Sequence, residues 1–95
     1  MPETLFRIRW PDGAVESCYS PSLVVKDFFI PGESYPLADF LERSRAALTL
    51  ANQRVEAKYG WRCSRAAAQL ARIETAAEPF ADTPDARVTV DAFEE

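Results

Sequence analysis

The clearest pattern of hydrophobic positions lies in residues 34–60. Proline at position 36 suits the first turn of a helix, and Gly60 suits the left-handed residue that closes the last turn. The pattern predicts a helix of roughly 24 residues, about 36 Å long. The residues of its predicted buried stripe recur at three- and four-residue intervals: Leu37, Phe40, Leu41, Ser44, Leu48, Ala51, Val55 and Tyr59.

Residues 4–19 show the alternation of a β-hairpin. Large apolar side chains occupy every second position of residues 4–10, which is typical of a half-buried strand. Pro11, Asp12 and Gly13 predict a tight turn with glycine at the positive-φ position. Residues 14–19 are then the return strand. The expected pairs are Phe6 with Cys18, Arg7 with Ser17, and Ile8 with Glu16.

Three further elements are predicted. In residues 20–30, Ser20 is the expected cap and Pro21 the first position of a short helix, although the β-branched and aromatic residues there leave a strand as the alternative. A second helix spans residues 65–78, capped by Ser64 and stopped by Pro79. Its expected buried stripe is Ala67, Leu70, Ile73 and Ala77. Residues 87–93 alternate again and predict a third strand.

This order predicts an α+β fold, in which a small three-stranded sheet packs on an antiparallel helical hairpin. The N-terminal hairpin and the C-terminal strand form the sheet, with the last strand beside and parallel to the first. The 95 residues are expected to form a single domain, residues 1–95.

Composition excludes several classes of function. The net charge of −4 weighs against binding to nucleic acid or to an anionic membrane surface. No apolar run reaches the roughly 18 residues of a membrane span, and the first residues do not have the pattern of a secretory signal. A cytoplasmic protein is therefore expected.

The chain contains no histidine, which removes the most frequent general base and metal ligand. We expect no metal, no cofactor and no catalytic residue, so the sequence weighs against an enzyme. Cys18 and Cys63 follow no ligand spacing and are interpreted as reduced fillers of the core. A thiol activated by the nearby helix start is the less favoured reading of Cys18.

Two sets of residues are candidates for binding. Arginines on one strand face can hold a carboxylate or phosphate, although a solvated strand face with cross-strand polar pairs is the favoured interpretation. The candidate ligand contacts, in a pocket between the sheet and the long helix, are Arg7, Arg9, Tyr19, Ser20, Ser22 and Lys26. A second, aromatic set can close the core or form an exposed patch for another chain. It consists of Phe28, Phe29, Ile30 and Tyr35.

Several sequence blocks are distinctive: residues 9–13 (RWPDG), 18–22 (CYSPS), 34–37 with Phe40, 44–45, 47–48, 54–55, 58–60, 63–64 and 69–70. Together they span nearly the whole chain and resemble a small bacterial family of nitrogen starvation response proteins. The resemblance implies an accessory role in nitrogen or nitrile-related metabolism. Genes of that family lie beside genes for a nitrilase, a radical-SAM protein, an acetyltransferase, a flavoprotein and a protein similar to aminoimidazole ribotide synthetase. It transfers no catalytic residue.

The leading hypothesis is therefore a non-enzymatic accessory protein that binds a protein partner from the same gene cluster, with homodimer formation as a further expectation. The alternative is a small-molecule-binding protein or minor enzyme that uses the pocket between sheet and helix.

Overall fold

The computed structural model describes residues 3–61 and 64–94. The interpretation of Cys63 and part of the connection between the helices fall outside these residues. Strand β1 (Thr4–Arg9) pairs with β2 (Val15–Ser20), and the predicted register is confirmed: Phe6 faces Cys18 and Ile8 faces Glu16. Gly13 has a φ of 89°, and the Asp12 carboxylate accepts the Ala14 N–H at 3.0 Å, as the turn sequence predicted.

The sheet has four strands, so the expectation of three is wrong. The missed strand, β3 (Ser34–Pro36), lies at the edge and pairs with β4 (Arg87–Glu94), giving the order β2-β1-β4-β3. β3 has only three residues and runs directly into the long helix. A strand this short has too few alternating positions to be distinguished from the helix pattern that follows it.

The last strand lies beside the first, as predicted, but it runs antiparallel to it and not parallel. A helical hairpin returns the chain to the point where it entered, here the end of β3, and Pro36 accordingly faces Arg87. β4 must then run opposite to β3. β1 and β3 are both antiparallel to β4. The direction predicted for the last strand is therefore wrong because the prediction lacked β3.

Helix α1 (Leu37–Tyr59) confirms the predicted long helix, and Gly60 ends it with a φ of 83° and an N–H bond to the Glu56 carbonyl at 2.8 Å. Its buried stripe includes Phe40, Leu48 and Val55. Tyr59 was expected on this stripe but is 43% exposed, and it packs against the exposed ring of Trp61 at 5.9 Å.

Helix α2 (Ser64–Ala77) begins and ends one residue before the predicted bounds. Ile73 and Ala77 are buried as expected, whereas Ala66 replaces Ala67, which is exposed. Because residues 66–68 are all alanine, the sequence pattern does not determine which of them faces the core. Pro79 does not stop the chain sharply but lies in a 3-10 turn, Glu78–Phe80.

The short helix between β2 and β3 is a 3-10 helix, Leu23–Asp27, and not the strand alternative. Its cap is Ser22, whose hydroxyl accepts the Val24 N–H at 3.3 Å, so the expectation of Ser20 as cap and Pro21 as first residue is wrong. Ser20 instead donates to the Ser22 carbonyl at 2.7 Å and shapes the turn before the helix.

Aromatic rings form the centre of the core between the sheet and α1. Phe29 is 1% exposed, and its ring lies 5.9 Å from Phe6, 5.5 Å from Phe40 and 5.4 Å from Tyr35. It therefore joins β1, α1 and β3 in one contact set.

Replacing Phe29 by alanine should destabilise the protein by about 3–5 kcal/mol, because it removes a ring buried among three others. The neighbouring change Ile30→Ala is the matched control: this side chain is 63% exposed, and its loss should cost less than about 0.5 kcal/mol. Urea unfolding followed by circular dichroism measures both. Equal effects of the two substitutions would contradict the placement of Phe29 at the centre of the core.

Candidate binding site

The predicted ligand contacts do not converge on one pocket. Arg7 and Arg9 point to the open face of the sheet, where they pair with Glu94 at 3.4 Å and with Asp91 at 3.3 Å. Both pairs are partly exposed to solvent and contribute little to stability. These two arginines therefore fit the interpretation of a solvated strand face.

The two serines of the set lie on the other side of the sheet. Ser20 and Ser22 are buried, and their hydroxyls serve the backbone bonds of the turn and the 3-10 helix. The Arg65 guanidinium lies over Tyr19, 3.9 Å from the centre of the tyrosine ring. The Lys26 ammonium lies 5.7 Å from the centre of the Phe93 ring. The space between sheet and α1, where the pocket was expected, is filled by core side chains.

The aromatic set mostly closes the core, which is the first of its two interpretations. Phe29 and Tyr35 are buried, and the Tyr35 hydroxyl accepts the Ile30 N–H at 2.9 Å. Phe28 is half-buried, so only Ile30 presents a largely exposed apolar side chain. Phe29 and Tyr35 therefore offer no surface to a partner.

Cys18 is buried on the inner face of β2. Burial, with a smaller contribution from the nearby Glu16 carboxylate, raises the pKa of its thiol to about 12. A nucleophilic cysteine requires the opposite shift. The structure therefore supports the filler interpretation of Cys18.

A surface cleft of about 450 Å³ lies between the first turns of α1 and the end of α2. The loop of residues 81–86 closes one side, and the Leu37 N–H donates to the Ala86 carbonyl at 3.0 Å, which ties this loop to the start of α1. Eight of the eleven lining residues are apolar or small: Pro36, Leu37, Ala38, Leu41, Ala77, Ala81, Pro84 and Ala86.

The cleft exists because leucines on α1 face alanines on the other side. Leu37 and Leu41 are one helical turn apart and only partly buried, and Ala77 and Ala81 are too small to cover them. Packing between two helices normally excludes such a gap. The resulting surface is apolar, concave and accessible to solvent.

Carboxylates surround this apolar floor. Glu74 and Glu78 line the cleft, and Asp82 and Asp85 lie exposed in the adjoining loop. Residues 74–85 carry these four acidic side chains and no basic one, and Arg45 of α1 pairs with Glu74, which leaves Glu78, Asp82 and Asp85 as the acidic rim. The local field therefore favours a cationic occupant.

The cleft is one part of a longer seam between the two helices. One turn further along, Arg45 on α1 and Glu74 on α2 form an ion pair at 3.1 Å. Beyond the ion pair lies a second, smaller groove of about 170 Å³, which includes Leu48, Asn52 and Leu70. The seam is thus an uncovered face of the helical hairpin that the ion pair divides in two.

Sequence reasoning missed this site because its residues lie on two helices and a loop. The periodicity predicts Leu37 and Leu41 of α1 and Ala77 of α2 as parts of two buried stripes, whereas the two leucines are only partly buried. The sequence does show closely spaced small residues near the end of α2. They indicate a cleft only when the alignment of the two helices is known.

The structure defines an α+β protein in which a four-stranded antiparallel sheet packs on a helical hairpin. Within residues 3–61 and 64–94, no group of three or more cysteine or acidic side chains is placed to hold a metal ion. Among the helices of this part of the chain, none combines the length and apolar character that a membrane crossing requires.

The chain belongs to the family of NitG, the nitrogen starvation-induced protein, whose family model matches residues 5–93. The resemblance to nitrogen starvation response proteins is therefore confirmed, and membership associates the chain with the response to nitrogen starvation. No curated protein and no solved structure matches it.

The raised pKa of Cys18 predicts slow thiol chemistry. In a Cys63→Ser variant at pH 8, burial keeps the Cys18 thiol almost entirely un-ionised, so alkylation by iodoacetamide should be very slow until urea unfolds the protein. Because the folded pKa lies above the usual 9.0, the associated stability is complete below pH 9 and is lost as pH rises towards 12. Fast alkylation of the folded protein would contradict the burial of the thiol.

Proposed function

We propose that this protein is a non-enzymatic accessory protein of the nitrogen starvation response and acts in the cytoplasm by binding a protein partner. The partner we expect is an enzyme encoded in the same gene cluster. Family membership supports the physiological setting. The observation that carries the binding role is the apolar cleft of about 450 Å³ at the start of α1.

The cleft is suited to a protein segment for two reasons. It is a shallow surface feature between two helices, so a side chain of a partner can enter without the protein opening. Its apolar floor and acidic rim combine hydrophobic contact with charge selection, which is the usual composition of an interface core and its edge. The burial of Cys18 and the placement of Arg7 and Arg9 on a solvated sheet face give no support to a reaction centre at those residues.

The alternative is a small-molecule-binding protein, and the observation that supports this alternative is the volume of the cleft. Pockets for small ligands usually measure about 300–1,000 Å³. Such a ligand would combine an apolar body with an amine that faces Glu78. Thermal-shift screening of amines with the wild type and with the cleft-filling variant described next separates this alternative from a protein partner.

Filling the cleft should remove partner binding. Ala38 is an exposed helical residue that lines the cleft, and Ala46 is an exposed alanine of the same helix outside it. Tagged Ala38→Phe protein from nitrogen-starved cells should recover the cluster enzyme at least about tenfold less than the wild type, a loss of about 1.4 kcal/mol. Quantitative mass spectrometry of the recovered proteins is the measurement.

Ala46→Phe is the matched control, since it adds the same ring to the same helix. It should recover the partner as the wild type does. Equal recovery by both variants would contradict a binding role for the cleft, and recovery of no cluster enzyme by the wild type would contradict the accessory role itself.

A further inference from the structure

The end of the helical hairpin opposite the cleft has the reverse charge. Residues 54–61 contain two basic residues, Arg54 and Lys58, and one acidic residue, Glu56, a net charge of +1 in a chain whose total is −4. Arg54 and Lys58 are exposed on the last turns of α1. We call residues 54–61 the basic tip.

Aromatic side chains accompany this charge. Trp61 is 66% exposed and Tyr59 is 43% exposed, and their rings lie 5.9 Å apart. The Lys58 ammonium lies 5.5 Å from the centre of the Tyr59 ring. The basic tip therefore presents an apolar aromatic surface beside positive charge, which is what the acidic, apolar cleft is suited to accept.

We infer that the basic tip of one molecule occupies the cleft of a second copy of the same chain. This inference rests on the proposed binding role of the cleft and names a second copy as an occupant that competes with the enzyme partner, so the cleft is open to the enzyme only when the dimer separates. Trp61 would lie against the leucine floor of the cleft, and Lys58 would face Glu78. The same protein thus carries both surfaces of the proposed contact, the charged basic tip and the cleft with its apolar floor.

The two surfaces lie at opposite ends of the α1–α2 hairpin. If two hairpins align antiparallel along the seam, each tip reaches the cleft of the other molecule. Such a pair closes on itself with two identical contacts and does not extend into a filament. A charge change on either surface therefore acts twice in each dimer.

Charge exchange tests this arrangement. Lys58→Glu and Glu78→Lys should each weaken the dimer about tenfold, because each breaks two exposed ion pairs and places like charges together. The double variant Lys58→Glu/Glu78→Lys should return to within about threefold of the wild type. Sedimentation equilibrium over a concentration series measures the dimer dissociation constant.

Glu33→Lys is the control, since it makes the same charge change as Glu78→Lys at an exposed residue in the turn before β3. It should leave the dissociation constant within about twofold of the wild type. A general effect of net charge would instead strengthen the dimer in this control, because Glu33→Lys makes the net charge of each copy less negative than −4.

Tryptophan emission gives an independent readout. The chain has two tryptophans, and Trp10 is buried at 5% exposure, so a change on association reports on Trp61. Emission should shift to shorter wavelength as wild-type concentration rises, and acrylamide should quench it less. In Glu78→Lys both changes should require about tenfold higher protein concentration than in the wild type.

A wild type that stays monomeric at every concentration, or a dimer that the double variant does not restore, would overturn the inference. Neither result affects the proposed function, because recovery of a cluster enzyme that depends on Ala38 but not on Ala46 does not require self-association. Conversely, a restored dimer without any cluster enzyme would support the inference and contradict the accessory role.

Discussion

The packing of Phe29 against Phe6, Phe40 and Tyr35 is the contact on which the rest of the structure depends. These rings come from the first strand, the long helix, the edge strand and the loop that precedes it, and they meet at distances of 5.4–5.9 Å. Hydrogen bonds alone do not bring these elements together into a core. Burial of the Phe29 ring therefore sets where α1 lies across the sheet.

Arg43 holds this arrangement from the side of α1. Its guanidinium donates to the Phe28 carbonyl at 2.8 Å and to the Asp39 carboxylate at 3.0 Å, and it lies 4.8 Å from the centre of the Tyr35 ring. The segment between the 3-10 helix and β3 is thereby turned inward. Its aromatic residues stabilise the fold, and surface recognition is left to the seam between the two helices.

Much of the fold was predictable because local rules determine it. Alternation and the Pro11–Gly13 turn fixed the hairpin and its register, and the Pro36 and Gly60 signals bounded the long helix to within a residue. β3 was missed because three residues carry no period, and this omission reversed the direction of β4. The cleft could not be predicted, because it arises where Leu41 on one helix faces Ala77 on another.

The central claim is that the cleft, and not the open face of the sheet, is the interaction surface. Carboxyl footprinting of the protein as isolated from nitrogen-starved cells, compared with the dilute free protein, tests this without knowledge of the occupant. We expect reduced labelling at Glu78 and Asp82, with Asp12 in the hairpin turn unchanged. Protection of Asp91 and Glu94 on the open sheet face, with Glu78 and Asp82 fully labelled, would contradict the claim.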